Sequence, residues 1–386
     1  MSSSVALVIC GLLLVGQLVS VALADWRLHR RRPSILDPER AGPVSIVIPT
    51  HGIETFARET LESAFNLDYP RYELIFCVAR GDDPITGLIL RAIEDHPEIP
   101  ARLLVGDDVI SDNPKLNNCV KGWDAARYDW IILTDSNVLM PRDYIQRLMA
   151  GWRADTGLLC SPPRGSRPEG LWAEVECAFL NTLQARWQYA AEAGGMGFAQ
   201  GKNMLWRRQL LDDNGGIRAL AADIAEDAAA TKIVRDAGFH VHLADTAFEQ
   251  PLGRRSAGQV WMRQLRWARL RRVTFAPVYA PEILTGAALA AVFAAIAAAP
   301  AGPAAAALAA VLMTALFHAA ELVLASRAGW HLSWRTPIAL LIRDVLWPAI
   351  WIGGWAGATV VWRDQSINVK KGAALDTSLT PSTGVF

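Results

Sequence analysis

Long stretches without charge constrain this chain more than any other feature. Residues 5–24 form a run of 20 residues without a charged side chain, which is the length needed to cross the hydrocarbon core of a bilayer. Residues 283–320 contain no Asp, Glu, Lys or Arg. That stretch is too long for one span and sufficient for two, and Pro300-Ala-Gly-Pro303 provides a break between them. We therefore predict an N-terminal transmembrane anchor and a C-terminal group of transmembrane helices.

Residues 337–362 form a further apolar stretch, but Arg343 and Asp344 lie inside it. A charge pair is costly in lipid, so these two side chains are expected to face protein or an interfacial site. A segment that is only partly inserted is the alternative. Two lysines in the tail, Lys370 and Lys371, favour an inner location for it, whereas a full set of four spans predicts an outer one.

The charges beside the first apolar run predict its orientation. No Lys or Arg precedes it, and four arginines follow it: Arg27, Arg30, Arg31 and Arg32. By the positive-inside rule the N-terminus lies outside and the following domain lies in the cytoplasm. A cleavable signal peptide is the alternative, since Ala22-Leu-Ala24 resembles a cleavage box, but the uncharged start argues against it.

The middle of the chain alternates between strand-like and helical segments. Short apolar, β-branched runs are followed by amphipathic stretches, which predicts an α/β domain with a largely parallel sheet and helices on both faces. The predicted strands cover residues 44–49, 73–79, 102–105 and 130–134, and the predicted helices include 54–65 and 85–95. The chain divides into an anchor (1–26), this cytoplasmic domain (27–280), C-terminal transmembrane helices (281–364) and a tail (365–386).

The composition excludes some classes of function. With 38 basic and 38 acidic residues, the net charge gives no reason to expect a nucleic-acid partner. The five cysteines are scattered without a C-x-x-C pair, which argues against a thiolate zinc site.

Residues 170–189 form a helical segment with Trp172, Phe179 and Leu183 on one face; it packs either on the core or at the membrane interface.

Carboxylates follow two of the predicted strands. Asp82 and Asp83 come after the second strand and Asp135 follows the strand that ends at Thr134. Ligands of such sheets bind at the carboxyl ends of the strands, where Asp135 is suited to hold a metal ion. Each of these residues can instead cap the helix that follows it. The same alternative applies to Glu226-Asp227 further along the chain.

A strongly basic helix follows at residues 260–272. Arg263 and Arg266 are three residues apart and share a face, next to Trp267. Guanidinium groups bind phosphate oxygens in a bidentate manner, and the indole ring offers a stacking surface. Binding of the helix to anionic lipid headgroups is the alternative.

The order of these features resembles the glycosyltransferase family that contains cellulose synthase, and most closely its ceramide glucosyltransferase branch, with bacterial lipid glycosyltransferases as relatives. Its signature is three separated aspartates followed by (Gln/Arg)-x-x-Arg-Trp. The resemblance covers nearly the whole chain. The segments that carry it are Glu73-Leu-Ile-Phe-Cys-Val78 with Asp82-Asp83-Pro84, Asn113-Pro-Lys-Leu-Asn-Asn118, Asp135-Ser-Asn137, Ala225-Glu-Asp227 and Trp261-Met-Arg-Gln-Leu-Arg-Trp267.

The resemblance implies a GT-A nucleotide-diphospho-sugar transferase fold and an inverting transfer from a UDP-sugar to a membrane lipid in a multi-pass protein of a bacterial inner membrane. It implies a Mg²⁺ or Mn²⁺ ion on the donor diphosphate. The implied roles are uridine binding by Asp82 or Asp83, diphosphate contacts by Lys115 with a loop supported by Asn117 and Asn118, metal ligation by Asp135 with Asn137 in place of a usual second aspartate, an acceptor-side loop at Gly201, a general base at Asp227, and closure of the site by Arg263, Arg266 and Trp267.

Other readings remain open at this point. A processive polysaccharide synthase shares the aspartates and the Arg-x-x-Arg-Trp motif, but it needs a polymer channel and usually more spans. A non-catalytic membrane scaffold would be favoured by loss of Asp135 or Asp227, and both are present. The acceptor lipid (ceramide, another sphingoid lipid, a hopanoid or a diacylglycerol), the sugar, the metal and the oligomeric state are not predicted.

Overall fold

The computed structural model describes residues 1–30, 42–357, 359–362 and 365–368. Arg31, Arg32, Lys370 and Lys371, which entered the orientation argument, lie outside these ranges. The strands and helices within these ranges are numbered in chain order. The strands β1 to β11 are Val44–Pro49, Tyr72–Val78, Ala101–Val105, Trp130–Thr134, Thr156–Cys160, Pro163–Glu169, Asn203–Arg207, His240–Leu243, Phe248–Arg254, Thr359–Trp362 and Gln365–Asn368.

The helices α1 to α14 are Ser3–His29, Ala57–Phe65, Thr86–Asp95, Pro114–Ala125, Tyr144–Ala150, Leu171–Ala178, Arg186–Ala193, Arg208–Asp212, Glu226–Asp236, Ala257–Thr274, Ala276–Tyr279, Ala287–Ala298, Pro303–Arg327 and Thr336–Ala356. A π-helical segment, Phe179–Ala185, joins α6 to α7. Short 3-10 segments lie at Ile217–Ala222, Ala280–Thr285 and Ala299–Ala301.

Seven strands form the central sheet in the order β3-β2-β1-β4-β7-β5-β8. All neighbouring pairs are parallel except those of β7, which runs antiparallel to both β4 and β5. Every residue of β1, β2 and β4 is buried, as expected for strands covered by helices on both faces. The α/β class is therefore confirmed, and two of the predicted strands, 44–49 and 130–134, have the predicted bounds.

The antiparallel strand β7 determines what lies at the edge of the sheet beyond β4. Its register places Thr134 of β4 opposite Asn203, so the chain just before β7 passes beside the residue just after β4. The backbone N–H of Asp135 accordingly donates to the carbonyl of Lys202 (3.1 Å), as does the hydroxyl of Thr134 (3.1 Å). Asp135 and Lys202 are thereby held as neighbours.

Three long apolar helices form a bundle at one end of the molecule. α1, α12 and α13 pack on one another, and their outer faces expose large apolar side chains such as Leu12, Val292 and Leu312. Among the described residues three helices (α1, α13 and α14) are long and apolar enough to cross a membrane. A fourth candidate is the pair 276–285 and 287–301, bent by 54°. The chain is therefore a membrane protein, as the uncharged runs predict.

The C-terminal end of α1 is fixed to the α/β domain by Arg27. Its fully buried guanidinium group pairs with Glu192 of α7 and with Asp245 (2.7 Å), and donates to the carbonyl of Leu243. Glu192 is buried with the arginine, whereas 37% of the Asp245 side chain is exposed. This pairing attaches the end of α1 to the α/β domain.

The helix α14 packs against α6 and α10 of the α/β domain more extensively than against the bundle. Arg343 and Asp344 are buried, and Arg343 lies 2.9 Å from Glu321 of α13 while Asp344 lies 3.0 Å from His318. The expectation that this charge pair faces protein is confirmed. Beyond the helix, Ile367 packs against Ile224, Leu270 and Trp267, so this part of the chain lies against the α/β domain.

Candidate active site

A cluster of charged side chains lies at the carboxyl end of β4. The two carboxylate oxygens of Asp135 each accept a hydrogen bond from a lysine: Oδ1 from Lys115 at 2.7 Å and Oδ2 from Lys202 at 2.7 Å. The Nζ atom of Lys202 also lies 3.1 Å from Oδ1 of Asn137. The lysine side chains are mostly buried, at 10% and 12% exposure, so these contacts are formed with little access of water.

The start of α4 positions Lys115. Asn113 caps the helix, its Oδ1 accepting from the backbone N–H groups of Lys115 (2.9 Å) and Leu116 (3.1 Å), and Pro114 occupies the first turn. The same side chain of Asn113 donates to Oε2 of Glu226 at 2.7 Å. Oε1 of Glu226 in turn pairs with Nζ of Lys115 at 2.7 Å. The cap thus connects the first turns of α4 and α9.

Asp227, the next residue in α9, faces a different partner. Its Oδ2 accepts from the backbone N–H of Gly201 at 3.0 Å, and the carbonyl of Gly201 accepts from Lys115. A Cβ atom at position 201 would lie 2.6 Å from Oε1 of Glu226 and 2.9 Å from Nζ of Lys115. Only glycine allows these groups to approach one another, which explains the residue at this point of the loop.

The environment changes the proton affinities of these groups. Burial raises the pKa of Asp227 to about 7, and the neighbouring carboxylate of Glu226 adds to the shift. Burial also opposes ionisation of Asp135, but Lys115 and Lys202 outweigh it and hold the pKa of Asp135 well below the usual carboxyl range. Two carboxylates of one site therefore have opposite tendencies: Asp135 stays ionised, and Asp227 exchanges a proton near neutral pH.

The metal ion that the resemblance implies finds few ligands on the chain itself. Within the part of the chain that the structure describes, no group of three or more His, Cys, Asp or Glu residues is arranged to hold a metal. Asp135 and Asn137 offer the hard oxygen atoms that Mg²⁺ and Mn²⁺ prefer. The chemistry of these two residues therefore fits such an ion, and its further ligands would come from the donor diphosphate or water. In the structure, one oxygen of each side chain accepts a hydrogen bond from Lys202.

A pocket lies beside this cluster, between the ends of β1 and β4 and the helices α2 and α3. Its lining includes Thr50, Gly52, Ile85, Asp135 and Asn137. The edge near Ile85 combines apolar side chains with backbone groups, which suits a flat nucleobase. Asp135 and Asn137 therefore belong both to the lining of the pocket and to the charged cluster.

The adjacent aspartates after β2 have different surroundings. Asp83 is buried and accepts from the backbone N–H groups of Gly52 (2.9 Å) and Ile85 (3.0 Å), while Nδ1 of His51 lies 2.7 Å away. It fixes both sides of the pocket entrance. Asp82 pairs with Arg80 at 2.7 Å, with 69% of its side chain exposed, and the structure does not bring it to the cluster.

The two asparagines of α4 are buried against backbone groups. Asn117 accepts from the N–H groups of Ile110 and Ser111, both at 3.1 Å. Asn118 donates to the carbonyl of Cys77 at 2.6 Å. These contacts hold the loops around Lys115, while neither amide side chain is shown to reach the pocket.

The basic helix α10 lies behind the cluster. Arg263 pairs with Glu176 of α6, a carboxylate with no exposed surface, and its guanidinium carbon lies 6.0 Å from the ring centroid of Trp267. Trp267 packs on Ile224, which lies two residues before α9, and on Leu252 of β9. Arg266 is partly buried on the same helix. The motif thus borders the site from the side of α6 and the membrane helices.

Comparison with known proteins identifies the family. The model of glycosyl transferase family 21 matches residues 12–375, almost the entire chain. The chain belongs to glycosyl transferase family 21. It is a glycosyltransferase related to ceramide glucosyltransferases, and the family predicted from the motifs is confirmed.

Curated relatives of this family 21 enzyme include two nematode proteins. Ceramide glucosyltransferase 3 of Caenorhabditis elegans is 22% identical over 365 residues, covering 93% of this chain and 79% of the relative. Ceramide glucosyltransferase 1 of the same organism is 26% identical over 249 residues, covering 64% of this chain and 53% of the relative. At these identities the relatives show the family and leave the acceptor open.

A solved structure of the same fold is the mannosyltransferase PcManGT from Pyrobaculum calidifontis in complex with GDP-Man and Mn²⁺. It superposes with a TM-score of 0.54 at 20% identity, over 88% of this chain and 98% of that chain. The similarity shows the fold: the α/β domain of the family 21 enzyme has the GT-A architecture, as predicted.

Sequence reasoning missed several side chains of the site in this family 21 enzyme. Lys202 and Glu176 are absent from the residues predicted from the sequence. Asn113 and Glu226 appear there only within motif segments, and Glu226 also as part of a helix cap, without a role in the site. Lys202 had a detectable signal, since a lysine directly follows Gly201 in the acceptor-side loop. The pairing of Glu176 with Arg263 spans 87 residues, and no local pattern indicates it.

Proposed function

We propose that this family 21 enzyme is an inverting glycosyltransferase that moves a sugar from a UDP-sugar to the hydroxyl group of a membrane lipid. A ceramide-like acceptor is favoured, because the curated relatives are ceramide glucosyltransferases; a hopanoid or another lipid alcohol is the alternative. The observation that carries the proposal is the position of Asp227. A carboxylate with a pKa near neutral lies one backbone hydrogen bond away from the loop that also contacts Lys115.

The nucleotide end of the donor is assigned to the pocket beside β1 and β4. Gly52 and Ile85, both held by Asp83, border the base. The diphosphate then meets the ammonium groups of Lys115 and Lys202, which compensate its negative charge in a site shielded from water. A divalent cation held by Asp135 and Asn137 would further offset the charge of the leaving UDP.

The acceptor hydroxyl is assigned to the side of Asp227. An alcohol is a weak nucleophile at neutral pH, so a base within hydrogen-bond reach must accept its proton as it attacks the anomeric carbon. The raised pKa of Asp227 matches this task, since a base titrating near the working pH is most effective. One base and one displacement predict a product whose anomeric configuration is inverted relative to the donor.

The lipid is expected to approach from the membrane side, past α6 and α10. These helices carry Trp172, Trp261 and Trp267, and the apolar helix α14 packs on both of them. Indole rings are suited to the interface between headgroups and acyl chains. Arg263 and Arg266 on the same helix would close the site over the diphosphate. We place the whole domain in the cytoplasm, because Arg27 holds it at the basic end of α1.

Product analysis tests this function. The full-length protein, purified in detergent or nanodiscs, is incubated with UDP-glucose, UDP-N-acetylglucosamine or UDP-glucuronate and with ceramide, a hopanoid polyol or diacylglycerol. Mass spectrometry identifies the glycolipid, and NMR of its anomeric proton gives the configuration. We expect one donor–acceptor combination to yield an inverted linkage. A retained linkage, or a polymer in place of a lipid product, would contradict the proposal.

A further inference from the structure

The side chain of Lys202 lies where a cation would be held by the candidate metal ligands. Its Nζ atom is 2.7 Å from Oδ2 of Asp135 and 3.1 Å from Oδ1 of Asn137. These are the two side chains that offer hard oxygen atoms to a divalent ion. The ammonium group therefore bridges the same pair of residues that the ion would bridge, and the two cations compete for Asp135.

Hydrogen bonds hold the backbone of Lys202, whereas its long side chain has several rotatable bonds. The carbonyl of Lys202 is held by hydrogen bonds from Asp135 and Thr134 beyond the end of β4, so the Cα atom cannot move far. The four-carbon stem of lysine has several rotatable bonds and ends in a compact point charge. Such a side chain can exchange one anionic partner for another within its reach without any change in the fold.

The charges around Lys202 define when that exchange is favourable. Lys115 is shared between Asp135 and Glu226, whereas the carboxylate partner of Lys202 is Asp135. A divalent ion arriving alone would meet both ammonium groups at close range, which is repulsive. An ion that arrives with a nucleoside diphosphate brings compensating negative charge, and the displaced ammonium group then has phosphate oxygens to bind.

We propose that Lys202 is the resident cation of the donor site. In the donor-free enzyme it occupies Asp135 and Asn137, and when a metal–nucleoside diphosphate complex enters it releases them and binds the diphosphate. Two consequences follow. Metal and nucleotide bind with positive coupling, and the donor-free enzyme has a low affinity for the metal alone. The assignment of the ligand as a UDP moiety rests on the proposed function; the competition for Asp135 does not.

Binding measurements on the full-length protein in detergent test the proposal. Titrations of Mn²⁺ alone, followed by electron paramagnetic resonance of the free ion, compare the wild type with Lys202→Met. Calorimetric titrations of UDP are done in saturating Mn²⁺, the condition in which the proposal has Lys202 on the diphosphate. We expect the variant to bind Mn²⁺ at least about tenfold more tightly and UDP at least about tenfold more weakly, because one close charge interaction has been removed in each case.

A matched control is Lys232→Met, which removes an equal charge at an exposed pair with Asp223 and should leave both affinities unchanged. Lys202→Arg keeps the charge and should retain the weak Mn²⁺ binding of the wild type. Lys202→Gln also removes the charge and replaces the methionine variant if that protein does not fold. Mn²⁺ binding by Lys202→Met that is no tighter than in the wild type would overturn the competition. Unchanged UDP affinity in saturating Mn²⁺ would overturn the diphosphate contact.

The outcomes separate this inference from the proposed function. If the binding results hold while no donor and acceptor combination gives a glycolipid, the role of Lys202 stands and the lipid-transfer proposal falls. If GDP replaces UDP as the tighter ligand in a parallel titration, the nucleotide assignment changes and the competition at Asp135 remains. Product formation with unaltered Mn²⁺ and UDP affinities in the methionine variant would leave the enzyme function intact and refute the resident cation.

Discussion

Replacing Asp227 with asparagine separates the chemistry of this site from its architecture. The asparagine side chain has the same shape and retains an oxygen that can accept from the backbone N–H of Gly201, now 3.0 Å from Oδ2. Its amide group cannot accept a proton from an alcohol. Donor binding should persist, because Lys115, Asp135 and the nucleotide pocket are unchanged, whereas the rate of transfer should fall by roughly 100-fold or more, the usual scale for loss of a general base.

The pKa of Asp227 gives this substitution a second, opposite effect. The shift from 3.8 to about 7 means that the folded protein disfavours the ionised carboxylate by at most about 4 kcal/mol relative to the unfolded chain. Because the pKa of Asp227 is higher in the folded protein than in the unfolded chain, the protonated carboxyl group contributes its full stability below about pH 4. That contribution is lost as the pH rises to about 7. Above that pH, Asp227→Asn should be more stable than the wild type while being nearly inactive.

Rate and stability are measured on the same preparations. The kcat/KM of the wild type should rise with pH through about 7 as the base ionises, and the residual rate of the variant should lack that limb. Thermal unfolding in detergent at pH 8 should show the variant melting higher. Asp223→Asn, three residues before α9, is the control, since Asp223 pairs with an exposed lysine. Near-normal turnover by Asp227→Asn would refute the base assignment.

Three further predictions concern the loop, the helix network and the tail. Gly201→Ala should lower both turnover and the affinity for UDP, because the added Cβ would lie 2.6 Å from Glu226 and 2.9 Å from Lys115 and would displace them. Kinetics equal to those of the wild type would show that this close approach is not required. Arg343→Met removes the arginine that pairs with the buried carboxylates of Glu321 and Asp344 and should destabilise the protein by about 3–5 kcal/mol, seen as a lower melting temperature. Cysteines at Glu98 and Gln365 should both be shielded from an impermeant maleimide in intact cells, and a reactive Gln365→Cys would place the tail outside.

The labelling experiment has a clean background. The five native cysteines are Cys10, Cys77, Cys119, Cys160 and Cys177, and all are buried. A cysteine at Ser4, which is exposed near the start of α1, should react from the outside and serves as the positive control. Permeabilised cells should label at Glu98→Cys, which confirms that this site is accessible once the reagent crosses the membrane.

The sequence predicts the parts of the site that follow from local pattern. An apolar, β-branched run that ends in a carboxylate indicates a strand with a functional residue at its carboxyl end, and Asp135 was located in this way. The choice between Asp82 and Asp83 was not predictable, because both follow the same strand. It depends on which side chain turns toward Gly52, and that is decided by the loop after a different strand, β1.

The parts of the candidate site that could not be predicted from the sequence depend on contacts between segments far apart in the chain. Lys202 reaches Asp135 only because β7 runs antiparallel to β4 with Thr134 opposite Asn203. The residues around position 202 do not by themselves specify that register. A one-residue slip would turn the lysine to the other face of the sheet. Local composition predicts that a strand exists. The pairing of β4 with β7 decides that Lys202 meets Asp135, 67 residues away in the chain.

The helix α14 illustrates the limit of counting spans by hydropathy. Its 21 residues are long and apolar enough to cross a bilayer, yet both ends contact the α/β domain. Ser333, just before the helix, donates to Glu174 at the start of α6 at 2.7 Å, and the carbonyl of Gly357, just after it, accepts from Arg272 of α10 at 3.0 Å. A helix that crossed the membrane would separate its two ends by the full thickness of the hydrocarbon core. Since both ends contact the α/β domain, we propose that α14 lies along α6 and α10 without crossing the bilayer. Its apolar outer face, where Val345 is exposed at 75%, would then face lipid beside the helices that border the candidate active site.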